Sequence, residues 1–130
     1  MAAAVPSDDA YVTIAFRALL DEVIGDSADK VCLSVATPSS GGVDADPSSG
    51  VLRSLRGGAA VVLPRSACLA DERNFGNPRG LLRLKDFTRV DEHTLIVHAE
   101  AVGEHTARYE CTVPFRRAAQ RPRCRITSRD

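Results

Sequence analysis

The sequence predicts a single α+β domain: a long N-terminal helix packed on a twisted antiparallel sheet of four to six strands, with a second short helix. Three observations lead there. Residues 80–115, GLLRLKDFTRVDEHTLIVHAEAVGEHTARYECTVPF, read as three consecutive antiparallel strands that agree on one buried face. Residues 11–24 carry an apolar stripe at helical spacing. The chain has 130 residues, one domain's length, and a chain of that size buries roughly two-thirds of its unfolded surface.

Residues 1–6 are expected to be disordered. Ser7, Asp8 or Asp9 can cap the first helix, because their side-chain oxygens accept orphan N–H bonds and the acidic charges suit the positive end of its dipole. Val12, Phe16, Leu19, Leu20 and Val23 form the stripe, and Gly25 reads as the stop. Such a helix is not stable alone and needs a sheet to lie on. Residues 30–36 (KVCLSVA) alternate Val31, Leu33 and Val35 against Cys32 and Ser34, the pattern of a strand. A Pro/Ser/Gly loop follows. Asp46-Pro47 then signals the start of the short helix, with Val51, Leu52 and Leu55 inward and Gly57 as its stop. Residues 59–63 read as a short strand ended by Pro64, and residues 71–80 as a polar loop.

In the three-strand stretch, residues 94–102 (TLIVHAEAV) hold no Gly or Pro and suit a central strand. Leu95, Val97, Ala99 and Ala101 share the more apolar face, and Ile96, His98 and Glu100 the other. Directly opposed residues lie on the same face, which constrains the turns. A Gly103-Glu104-His105 loop pairs Ala99 with Tyr109 and Val97 with Cys111; an Asp91-Glu92 turn pairs Leu84 with Ala99 and Leu82 with Ala101. After Phe115, residues 121–127 (RPRCRIT) fit an edge strand, where Pro122 is tolerated. A four-residue loop over 116–119 sets Cys111 opposite Cys124, within reach of a disulfide. Cys32 and Cys68 then remain as the second pair, one of the three connectivities open to four cysteines.

The cysteines form no CxxC and fit no zinc spacing. Their even number favours disulfides and an exported, oxidising setting, periplasmic or extracellular. The competing reading is buried free thiols in a cytoplasmic protein. The start, MAAAVPSDDA, lacks the basic and apolar regions of a signal peptide, so export implies that a signal is absent from this chain and that Met1 is not native. No apolar run is long enough to span a bilayer. Lys+Arg and Asp+Glu are equal at 17 each, so net charge selects no partner.

The segments VCLSV (31–35), DPSSGVLRSL (46–55), LPRSAC (63–68) and YECTV (109–113) resemble a family of uncharacterised exported bacterial proteins. The resemblance covers most of the chain from Val31 onward. It departs at the end, where family members tend to carry a Trp-bearing strand and this chain has RCRIT and no Trp. It implies an exported domain with helices against a curved antiparallel sheet, cystatin-like or NTF2-like, and no activity.

No catalytic signature emerges. Ser34, Ser39, Ser48 and Ser66 lack a nucleophile context, and Gly41-Gly42 and Gly57-Gly58 lack a phosphate-loop pattern. His93 and His105 fall at opposite ends of the central strand, too far apart to share a metal. His98, Glu100 and Glu110 share the sheet's second face, so a His98–carboxylate pair there is either an acid–base pair or part of a solvated sheet face. Arg116, Arg117, Arg121, Arg123, Arg125 and Arg129 form the single charge cluster: an anion-binding patch, or an arginine edge that discourages aggregation. Without interleaved aromatic residues a nucleic-acid partner is disfavoured. The first expectation is a non-catalytic binding or interaction module for a protein or small ligand, with no cofactor or metal and a homodimer left open. The alternatives are an NTF2-like enzyme using His98, and an anion binder using the arginines.

Overall fold

The computed structural model describes residues 8–24, 30–38, 41–57, 61–69, 81–102, 106–115 and 121–129. The expectations for residues 1–6, Gly25, the 71–80 loop, the 103–105 turn and the 116–119 loop lie outside them. The first helix, Asp8–Leu19 (α1), is 12 residues long and passes into a π-helical turn over Leu20–Ile24, so it is shorter than the long regular helix expected. Its stripe is buried as the spacing requires: Phe16 and Leu19 are fully buried, and Leu20, Val23 and Ile24 pack against the same cluster.

Lys30–Val35 (β1), Val61–Pro64 (β2), Leu81–Arg89 (β3), Thr94–Val102 (β4), Thr106–Pro114 (β5) and Arg123–Arg129 (β6) form one sheet in the order β2-β1-β3-β4-β5-β6. Two further helices, Ser49–Ser54 (α2) and Arg65–Leu69 (α3), lie between β1 and β2 and between β2 and β3. The expected antiparallel α+β fold is therefore corrected to a mixed sheet dominated by strands, with short helices. β1 runs parallel to both β2 and β3, and only β3 to β6 are antiparallel. The physical reason is the crossover: a strand, a helix and a returning strand in the same sheet give parallel neighbours. β1 is buried on both faces, with Val31 and Leu33 at 0% exposed on one and Cys32 and Ser34 at 8% and 0% on the other. That is the environment of an internal parallel strand.

The short helix starts two residues later than Asp46-Pro47 suggests. Ser48 is its N-cap, accepting the Val51 N–H at 3.2 Å. Asp46 is drawn instead to the start of α3, where its carboxylate accepts the Ser66 N–H at 2.9 Å and the Ser66 hydroxyl at 2.6 Å. Gly57 ends the turn after α2 with φ +93°, a conformation that favours glycine.

The antiparallel registers pair Ala99 with Tyr109, Val97 with Cys111, Leu84 with Ala99, Leu82 with Ala101 and Cys111 with Cys124. The β3–β4 turn is one residue longer than expected: Val90 N–H donates to the Thr94 carbonyl at 3.0 Å, and the Asp91 carboxylate accepts the His93 N–H at 2.7 Å. A bulge at Lys85 absorbs the extra residue and leaves Leu82 and Leu84 in the expected pairing. Cys111 is joined to Cys124 and Cys32 to Cys68, with Cα–Cα distances of 4.0 and 6.3 Å. The main core lies between α1, α2 and one face of the sheet, while a smaller cluster of Cys32, Cys68 and Leu81 holds α3 to the other.

Candidate functional site

The sheet face opposite α1 is built from cross-strand charge. Antiparallel pairing aligns same-face residues into rungs, and two rungs cross β3 to β6 here. In one, Asp86, His98, Glu110 and Arg125 are successive partners. His98 Nδ1 lies 2.6 Å from Asp86 Oδ1 and Nε2 lies 3.0 Å from Glu110 Oε2; Arg125 donates through Nη2 and Nε to Glu110 Oε1 at 2.8 and 3.1 Å. In the other, Arg83, Glu100 and Arg108 are partners. Glu100 faces Arg83 Nη1 at 3.4 Å, Lys85 Nζ at 3.7 Å and Arg108 Nε at 3.3 Å, and Arg108 also donates to the Ser128 hydroxyl at 3.0 Å.

The second rung continues onto the loop after β1. Arg83 grips Asp44 with a two-pronged contact, Nε at 2.7 Å and Nη2 at 3.2 Å. The buried Ser34 hydroxyl donates to the same carboxylate at 2.7 Å, and Arg65 Nε lies 3.6 Å away. The Arg83 hydrogen bond, above all, holds the Asp44 carboxyl below the usual carboxylate range against the opposing effect of burial.

The three residues expected on this face, His98, Glu100 and Glu110, are brought together there. Of the arginine cluster, Arg116 and Arg117 lie outside the described residues. Arg121 and Arg123 are exposed at the β6 end, and Arg125 is engaged by Glu110. The rung members Asp86, Arg83, Asp44, Lys85 and Arg108 were not expected. One signal for Asp86 is legible: the apolar set in β3 switches from even positions, Leu82 and Leu84, to the odd Phe87. That parity switch marks a bulge and carries Asp86 onto the face of His98.

Both ring nitrogens of His98 meet carboxylates, and only an imidazolium can donate to two acceptors at once. Hydrogen bonding to Asp86, then to Glu110, raises the His98 pKa, while desolvation opposes the shift. His98, then Arg125, lowers that of Glu110. The signs differ in consequence. The His98 contribution to stability is complete below the ordinary value of about 6.5 and is lost as pH rises through the raised midpoint. The Glu110 contribution is complete above the ordinary value of about 4.3 and is lost as pH falls through the lowered one. The rung is strongest in mildly acid solution. Following the His98 ring protons by NMR, we expect a midpoint above the ordinary value. Asp86→Asn should lower that midpoint further than Glu110→Gln does. A midpoint at or below the ordinary value would contradict the geometry.

A shallow depression of about 290 Å³ opens on this face beside Lys85, His98, Glu100, Arg108, Tyr109 and Thr127. Among the described residues no group of three or more His, Cys, Asp or Glu side chains is placed to hold a metal ion. Nor, among them, is any helix long and apolar enough to cross a membrane. No protein-family model, curated protein or solved structure matches this chain.

Proposed function

We propose that the protein is a non-catalytic binding module that holds an anionic group of a partner against the charged face of its sheet. The observation that carries this reading is the charge balance of the depression: of the charged side chains that line it, Lys85, Arg108 and His98 are basic and Glu100 alone is acidic, and Glu100 is shared by three cations. A surplus of cations on a half-desolvated sheet attracts an oxyanion more strongly than the same charges scattered in water. Lys85 and Arg108 are both about half exposed and flank Glu100, so their charge is accessible from solvent.

The alternative acid–base role for His98 is weakened by its two carboxylate partners, because a general base needs a nitrogen free to take a proton. The two disulfides favour an exported, oxidising setting, and the resemblance of the VCLSV, DPSSGVLRSL and YECTV segments to exported bacterial proteins points the same way.

The test is a titration of the oxidised protein with inorganic phosphate and with a poly-glutamate peptide, followed by backbone amide NMR. Saturable shifts at Lys85, Arg108 and Thr127 that weaken with added salt and disappear in Lys85→Glu/Arg108→Glu support the reading. Shifts that ignore salt, or no saturable shift for either probe, would remove it.

A further inference from the structure

Among the described residues the sheet has two free edges, and they are unlike. β2 offers four residues, and its last, Pro64, has no N–H to give a further strand. β6 offers seven, all of them exposed except the half-buried Cys124. The Cys111–Cys124 bond ties β6 covalently to β5, so its outer side is a fixed row of backbone donors and acceptors. Such a row is a template for one more strand.

Charge decides which strand fits. β6 holds Arg123, Arg125 and Arg129 and no acidic residue. Arg123 is opposed by Thr112, which neutralises nothing, and Arg125, although bound to Glu110, keeps 73% of its side chain exposed. A second copy of β6 is the wrong occupant. An antiparallel pair of copies keeps every residue on its own face, so one residue of the strand lies at its centre. Centred on Arg123, Cys124 or Arg125, the pair sets one arginine directly opposite another, which is destabilising. A strand bearing carboxylates meets the same arginines favourably. The register also says where they belong. Arg123 and Arg125 lie on the charged face with Glu110, while Cys124 and Ile126 lie on the face of Cys111 and Tyr109. Ile126 is 45% exposed and offers an incoming strand an apolar contact. Beyond Ile126 a bulge leaves Thr127 without a partner in β5, so the regular edge is 123–126.

We propose that β6 binds an extended acidic segment of a partner protein as a seventh strand, with alternate carboxylates opposite Arg123 and Arg125 and an apolar residue opposite Ile126. The inference rests on the anionic partner proposed above. It adds the partner's backbone, and it sets the acidic side chains on the same face as the depression, which Thr127 of β6 also lines.

Two capped hexapeptides of the same composition separate strand addition from plain charge: one alternates valine and glutamate, the other holds them in two blocks. Amide hydrogen exchange over 123–126 reads backbone pairing. With the alternating peptide at ten times its dissociation constant, the β6 amides that point away from β5 should exchange about tenfold more slowly. Inorganic phosphate should leave their exchange unchanged. The block peptide should bind about tenfold more weakly, because its glutamates cannot all share the face of Arg123 and Arg125. Arg123→Glu should weaken the alternating peptide about tenfold. In the unaltered protein, added salt should weaken it as well, so the charge argument is tested even if the variant fails to fold. Equal binding of the two peptides would overturn the proposal, as would binding that leaves the β6 amides exchanging as before. Protection that grows with protein concentration and no peptide would place a second copy on the edge and overturn it too. Phosphate shifts at Lys85 and Arg108 without β6 protection by the peptide would remove this inference and leave the anion-binding face standing; β6 protection without phosphate shifts would do the reverse.

Discussion

A chain carrying Cys32→Ala and Cys68→Ala is expected to unfold about 4 kcal/mol more easily than the parent, as the loop-entropy relation gives for a long closed loop. The bridge spans a sequence separation of 36, against 13 for Cys111–Cys124, for which the same relation gives about 3 kcal/mol. Geometry widens the difference. Cys111 and Cys124 already face one another in a paired hairpin, so β5 and β6 hold their register without the bond. α3 has only five residues, too few to stand as a helix alone, and Cys68 is its buried attachment to the sheet. Urea unfolding should show the Cys32/Cys68 variant melting roughly 2 M earlier than the parent, with the Cys111→Ala/Cys124→Ala variant between them. Equal losses, or a larger loss for the hairpin bond, would mean that α3 is held by something other than its disulfide. Against a total stability of about 5–15 kcal/mol, either loss is large, so reduction alone should leave a marginal protein.

The strand periods and the turn lengths carried most of the antiparallel half of the fold. Leu82, Leu84, Leu95, Val97, Ala99, Cys111 and Val113 alternate cleanly, and a one-residue slip would turn every one of them to the wrong face. The registers at Val97–Cys111 and Cys111–Cys124 follow from that constraint. Strand direction at β1 did not follow, because alternation is blind to polarity. The better guide was connectivity: a strand at 30–36, a helical signal near 46–57 and an apolar run at 59–63 is the order of a parallel crossover unit. α3 was hidden for a different reason. RSACL carries too few residues for a period to show, and Pro64 reads as a terminator, although β2 is an edge strand and accommodates it.

The candidate sites divide in the same way. His98, Glu100 and Glu110 could be placed on one face because they lie on neighbouring strands with a fixed register. Arg83 falls opposite Glu100 in the expected register, but Asp86 depends on the Lys85 bulge and Asp44 on the bridge between Val35 and Ala45, neither of which alternation encodes.

Phe16→Ala should cost about 3–5 kcal/mol, the usual range for emptying a fully buried aromatic position. Phe16 sits mid-way along α1 with Val12 and Leu19 beside it on the buried stripe, and all three belong to the cluster that docks the helix on β1, β3, β4 and β5. Beside the stripe, Arg17 donates to the Ser54 carbonyl at 3.0 Å, and Tyr11 packs its ring 5.9 Å from Phe87 and 5.8 Å from Phe115. Phe16→Leu keeps most of the apolar volume and should lose about 1 kcal/mol. At a temperature where Phe16→Ala remains folded, phosphate binding on the far face, built from β3 to β6, should be unchanged. A stability loss below about 1 kcal/mol would mean that α1 is not docked through Phe16. A parallel loss of phosphate binding would mean that the two faces of the sheet are not independent.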